Sequence, residues 1–234
     1  MESSSVHETK AISDRQLGWF ALATAVLTML WLVLLFYSLY LTGVADTFDQ
    51  AVEHAIAHGW VFYVGYANTI LITIVAMLLF AGFYVYCRSV GPTWAVIGLV
   101  FVPVYGVLNL VVYVSQLTVV PPLLEQYQAN GTEPAIELML AMWLQGWTGS
   151  AVWTLNNLAY AVLGIPSIVF GILLGRQTPS LRIAGWFLAA SGVASILGMA
   201  GIIIGHDLLS TGSVAGGALF LVGLVLLART LLFA

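Results

Sequence analysis

Six apolar runs, each long enough to cross a bilayer, dominate the chain: Leu17–Leu41, Trp60–Cys87, Trp94–Val120, Gly149–Gly175, Ile183–Gly205 and Gly212–Phe233. A helix needs about 20 mostly apolar residues to cross the hydrocarbon. A lone segment in lipid must satisfy its own backbone N–H and C=O groups, which a helix does. A barrel strand would alternate polar and apolar residues, and these runs do not. The predicted fold is therefore all-α: a polytopic membrane protein, a six-transmembrane-helix bundle with short external interfacial helices. Composition agrees, with 61% hydrophobic and 7% charged residues, where soluble domains carry about a quarter charged. Residues 1–16 read as a polar cytoplasmic segment and residues 17–234 as one transmembrane domain. The first run exceeds the apolar region of a cleavable signal peptide, about 7–15 residues, so it is read as the first span.

Six spans create two sides. All six basic residues (Lys10, Arg15, Arg88, Arg176, Arg182, Arg229) fall on the side of the termini or at its membrane edge. The positive-inside rule then predicts a cell-membrane protein with both termini cytoplasmic. Seven of the ten acids (Asp46, Asp49, Glu53, Glu125, Glu133, Glu137, Asp207) fall on the other side. Indoles favour the interface. Trp19, Trp94 and Trp186 open the first, third and fifth spans, and Trp60, Trp143, Trp147 and Trp153 gather near the opposite boundary.

Two longer connections lie on the acidic side. Asp46–Gly59 predicts a short amphipathic helix capped by Asp46, with Phe48, Val52 and Ile56 at helical spacing. Pro121–Thr148 predicts two helical pieces split at Asn130-Gly131, the second from Ala135 to Gln145 and too short to span. Asn130-Gly131-Thr132 matches a glycosylation sequon, a pattern common by chance. Arg15–Phe20 echoes Arg182–Phe187, each with Arg, Gly, Trp and Phe in the same places, which shared position at the membrane edge also explains.

The pairs Gly171/Gly175, Gly201/Gly205 and Gly212/Gly216 predict close helix packing within the chain, with a homo-oligomer face as the alternative. Pro103 and Pro166 fall inside the third and fourth spans, each removing a backbone donor. Cys87 is the single cysteine, so no internal disulfide forms; acylation at the helix end is the minority reading.

The third span carries a polar stripe, Tyr105, Asn109, Tyr113 and Gln116, at spacings that share one face. The second span adds Asn68, Thr69 and Thr73, and the fourth adds Asn156, Asn157 and Tyr160. An unpaired amide in hydrocarbon is costly, so these groups are expected to meet inside the bundle, Asn109 bonding to the second or fourth span. Two readings stay open. The stripe is interhelical glue, or Asn68, Asn109, Tyr113, Gln116, Asn156 and Tyr160 line a ligand site. No Asp, Glu, Lys, Arg or His lies centrally in any span. That favours a neutral or amphiphilic small ligand over proton or ion coupling.

On the acidic side, His54 and His58 stand four apart, and His206 ends the fifth span. That spacing suits a zinc or copper ion, or haem ligation, but no Glu follows His54 as a zinc protease requires. No resident cofactor is otherwise implied. The phosphate-binding Gly-Lys loop, the Gly-x-Ser-x-Gly elbow and Cys-x-x-Cys are missing, and an enzymatic role is disfavoured. Basic residues are too few for nucleic acid. The leading expectation is a non-enzymatic membrane component that binds or passes a small neutral or amphiphilic molecule along spans two, three and four. The alternatives are a metal- or haem-dependent protein with an external His site, and a structural or accessory subunit of a membrane complex.

Overall fold

Two hydroxyl-x-x-Gln boxes set where the first helices begin. The computed structural model describes residues 13–57, 59–130 and 133–233; His58, Gly131 and Thr132 lie outside the described residues. Helix α1 (Asp14–Thr42) starts earlier than its apolar run because Ser13 caps it. The Gln16 amide N–H donates to Ser13 Oγ at 3.3 Å, and the Ser13 N–H donates to Gln16 Oε1 at 3.0 Å. The same reciprocal box opens α2 (Phe48–Ala57). There the Gln50 N–H donates to Thr47 Oγ1 at 3.3 Å, and Gln50 Oε1 accepts from the Thr47 N–H at 3.3 Å. The cap is therefore Thr47 and not Asp46, because Gln50 occupies the box position three residues after Thr47.

Helix α3 (Gly59–Cys87) turns tightly into α4 (Pro92–Thr118). Helix α5 (Val120–Asn130) follows almost at once. Pro121 and Pro122 bring no N–H to continue the α4 ladder, so the helix breaks there. Helix α6 (Pro134–Trp143) leads to α7 (Ala151–Gln177), which Ser150 caps by accepting from the Trp153 N–H at 3.0 Å. A 3-10 turn, Pro179–Leu181, precedes α8 (Arg182–Ile204). The short α9 (Asp207–Ser210) and α10 (Gly212–Phe233) complete the described chain.

Six helices, α1, α3, α4, α7, α8 and α10, are long and apolar enough to cross a membrane. The chain is an all-α polytopic bundle. Contacts run in order from α1 to α3, α4, α7, α8 and α10 and back to α1, closing a ring. One end, here the basic end, carries the α3–α4 and α7–α8 turns. The other, the loop end, carries α2, α5, α6 and α9. Helix α4 shows why the outside is apolar: Val100, Val104, Val107, Val111 and Val114 are exposed on one face, while Tyr105, Asn109, Tyr113 and Gln116 are buried on the other. In lipid, the hydrocarbon-facing side is the apolar one.

Toward the basic end the interior is solid. Phe80 and Phe83 of α3 pack at 5.4 Å between ring centroids, Phe170 of α7 lies 6.0 Å from Phe80, and Phe220 of α10 stacks on Phe80 at 6.2 Å. Cys87 is fully buried beside them, so its thiol is out of reach of acylation. At the loop end, α2, α5 and α6 pack together through Val52, Val120, Leu124, Ile136, Leu140 and Leu144. The amphipathic pieces thus cover one another as well as the bundle.

Helices α7 and α8 meet backbone to backbone. A Cβ on Gly164 would sit 2.6 Å from the Gly192 carbonyl oxygen, and one on Gly171 would sit 2.5 Å from that of Gly185. The working period is therefore seven residues on each helix. In the expected four-residue pair, a Cβ on Gly175 itself has ordinary clearance, 3.8 Å to Arg182, but a Cβ on Gly185 would come within 3.1 Å of the Gly175 backbone nitrogen, so Gly175 also lies in the contact. Gly212 and Gly216 close against Ala194, Gly198, Ser191 and Ser195 of α8, so these glycines serve packing within the chain.

Candidate functional site

The α4 stripe rises toward the loop end between α3 and α7. Helix α3 presents Tyr66, Thr73 and Met77 to it. The Tyr66 ring lies 6.2 Å from Tyr113, Thr73 adjoins the Tyr105 phenol, and Met77 fills the space beside Gly106. Helix α7 presents Asn156 and Tyr160. The Tyr113 hydroxyl donates to Asn156 Oδ1 at 3.0 Å and lies 2.7 Å from the Tyr160 hydroxyl. A phenol has one proton to give. If Tyr113 gives its proton to Asn156, Tyr160 is the donor to Tyr113, and the three groups form one directed chain.

Asn109 sits beneath this chain, next to the Tyr105 and Tyr160 phenols, and is 1% exposed. It faces the bundle interior as the stripe requires. The expected bond to α3 or α7 is not made: neither Nδ2 nor Oδ1 has a hydrogen-bond partner. The adjoining Tyr160 hydroxyl pairs with Tyr113 at 2.7 Å, and the adjoining Tyr105 phenol makes no hydrogen bond to the amide. A buried amide left unpaired costs about 1–3 kcal/mol per group.

Two other expected site residues bond elsewhere. Gln116 is fully buried; its Nε2 donates to the Trp143 carbonyl at 2.7 Å, and its Oε1 accepts from the Gln145 N–H at 3.0 Å. It staples the segment between α6 and α7 to α4. Asn68 faces away from α4, where its Nδ2 donates to the Leu27 carbonyl of α1 at 2.9 Å, and its Oδ1 is unpaired. Asn157 bonds within its own helix, to the Trp153 carbonyl at 3.0 Å. The structure thus gathers Asn109, Tyr113, Asn156 and Tyr160, and places Asn68 and Gln116 on separate seams.

Tyr105, a member of the predicted stripe though not of the predicted ligand site, joins the gathered set, and so does Tyr66, which was in neither. The signal was present: Tyr66, Ile70, Thr73 and Met77 recur at spacings of four, three and four, one face of α3. Beyond the set, toward the loop end, the Phe62 ring lies 4.7 Å from Tyr66 and the Tyr63 ring 5.9 Å from Phe62.

The histidines are placed differently. His206 caps α9, its Nδ1 accepting from the Leu209 N–H at 3.4 Å. His54 lies in α2. His58 is outside the described residues. Among the described residues, no three His, Cys, Asp or Glu side chains come together as metal ligands would. Comparison with known protein families, curated proteins and solved structures found no match.

Proposed function

We propose that this is a membrane-embedded binding protein for a small neutral or amphiphilic molecule, with the ligand held between α3, α4 and α7 around Asn109. One observation carries the reading: a fully buried amide with both its donor and its acceptor unpaired, set among three tyrosines and a second amide. Buried polar groups in native proteins are overwhelmingly paired, and exceptions call for an explanation. A ligand with an acceptor and a donor side by side, such as an amide or alcohol, would satisfy both Asn109 atoms. The tyrosine rings would cover its apolar part. Lack of charge along the spans fits a ligand without a buried formal charge.

Both polar atoms of the Asn109 side chain are buried in this packing, so ligand admission requires α4 to move against α3 or α7. Pro103 of α4 and Pro166 of α7 each leave a backbone carbonyl without its helical partner and favour such bending. The Phe80–Phe83–Phe170–Phe220 cluster fills the basic half, so passage of the ligand across the membrane would need a second rearrangement there. With the basic end cytoplasmic, as the positive-inside rule would have it, Asn109 would lie in the half of the bundle nearer the outside.

The pairing of Gln116 and Asn68 favours a second reading, an accessory subunit whose polar residues only join helices. Native mass spectrometry of protein extracted directly from membranes separates the two. The binding reading expects a small-molecule adduct on the wild-type chain that is lost from folded Asn109→Leu. Wild-type protein without an adduct, indistinguishable from the variant, selects the accessory reading. Metal analysis of the same sample tests the histidine alternative.

A further inference from the structure

A cavity of about 150 Å3 lies at the loop end, apart from Asn109, where the start of α3 meets α2 and α5. Its polar lining is Tyr63, Glu125 and Gln128, and its apolar lining includes Phe62, Ile56 and Leu124. Two features set its chemistry. The Phe62 and Tyr63 rings stand at 82° with centroids 5.9 Å apart, so they form two walls of a corner, and Tyr63 is 47% exposed. Glu125 brings a carboxylate to the same cavity, and among the described residues no Lys or Arg lies at the loop end to neutralise it. Among the described residues, the Glu125 and Gln128 side chains form no hydrogen bond or ion pair.

We infer that this cavity binds an alkylammonium group, held by the Phe62–Tyr63 corner and neutralised by Glu125. The ring faces carry negative quadrupole potential and attract a cation within about 6 Å of the centroid. A carboxylate beside an aromatic corner selects a cation over its neutral isostere. The loop end as a whole strengthens the selection, since seven of the ten acids and none of the described Arg residues belong to it. Such a one-signed surface raises the local cation concentration. An ammonium of this kind comes from a zwitterionic lipid headgroup or from a soluble amine, and the shared chemistry is the alkylated nitrogen.

The test uses the full chain in phosphatidylglycerol nanodiscs, with tetramethylammonium as probe and tert-butanol as its neutral near-isostere, followed by saturation-transfer NMR. Tetramethylammonium should bind more tightly than tert-butanol. Glu125→Gln and Tyr63→Leu should each weaken it by about tenfold while leaving tert-butanol unchanged. Both positions are exposed, and an unshifted thermal melt will show that the variants fold. Equal binding of the two probes, or tetramethylammonium binding indifferent to Glu125→Gln, overturns the inference. Repeating the titration in phosphatidylethanolamine nanodiscs, referenced to Glu125→Gln protein in the same discs, identifies the source. A weakened probe means the lipid headgroup occupies the cavity, and an unchanged probe means a soluble amine. Asn109→Leu should not alter tetramethylammonium binding, so this inference and the Asn109 reading stand or fall separately.

Discussion

The hydroxyl oxygens of Tyr113 and Tyr160 lie 2.7 Å apart across the α4–α7 seam, while Asn109, one helical turn below Tyr113, adjoins the Tyr105 and Tyr160 phenols without a hydrogen bond. The contrast matters because both sit in the same low-dielectric interior. The tyrosine pair, completed by Asn156, is satisfied and rigid. The amide beside it is not, so the seam carries an uncompensated cost in this closed packing.

Asn109→Leu is therefore expected to be stability-neutral or stabilising, by up to about 1–3 kcal/mol, since it removes two unpaired buried groups. The extra bulk of leucine offsets part of that gain. Ligand retention should disappear in the same variant. Unfolding midpoints in a detergent titration check the first part and native mass spectrometry the second. A clear loss of stability with ligand retention intact would falsify the assignment of Asn109 to a binding site.

The spans were legible because length and apolarity decide them, with boundaries shifted only where caps intervened. Ser13 and Thr47 extend or start helices through a box with Gln16 and Gln50, a pattern the apolar runs do not show. The inward turn of the α4 stripe was legible from spacing. Which neighbour each polar group meets was not, because a face on one helix says nothing about the order of helices around it. Asn68 illustrates this: it shares α3 with Thr73 but points to α1. Asn109 illustrates the rest, since pairing depends on how its neighbours spend their own donors. The α7 positions where α8 backbone excludes a Cβ, Gly164 and Gly171, stand seven apart, a spacing that the four-residue pairs in the sequence do not display.

Gln116 makes a different case from Asn109, because both of its amide groups are used. Replacing it with Met leaves the Trp143 carbonyl and the Gln145 N–H without their partner. The expected loss is about 1–3 kcal/mol for each group that stays buried. Hydrogen exchange at Gln145 and proteolysis between α6 and α7 should both accelerate, with the transmembrane core unaffected. Unchanged exchange at Gln145 would show that the staple does not hold this segment.

Orientation is open to direct labelling. Glu133 and Ser180 are both exposed, the first at the loop end and the second at the basic end. Cys87 is fully buried and gives little background. In intact cells, a membrane-impermeant maleimide should label Glu133→Cys and leave Ser180→Cys unlabelled until the membrane is opened. The reverse pattern inverts the proposed topology and moves the Asn109 site to the cytoplasmic side.

The seven-residue glycine period makes a paired prediction on a single helix. A methyl group on Gly171 would press on the Gly185 carbonyl at 2.5 Å and on the Ala189 nitrogen at 2.7 Å, both backbone atoms that cannot rotate aside. Gly171→Ala must therefore push α7 and α8 apart, and overpacking of this kind costs about 1–3 kcal/mol. Gly175 lies one turn away on the same helix, yet its added methyl would meet nothing closer than 3.8 Å. There the gain in helix propensity dominates, about 0.5–1 kcal/mol in favour of alanine. The two substitutions should thus move the unfolding midpoint in opposite directions, although both remove a glycine from α7. Equal destabilisation would mean that α8 crosses nearer the end of α7, and that the four-residue pair is the real contact.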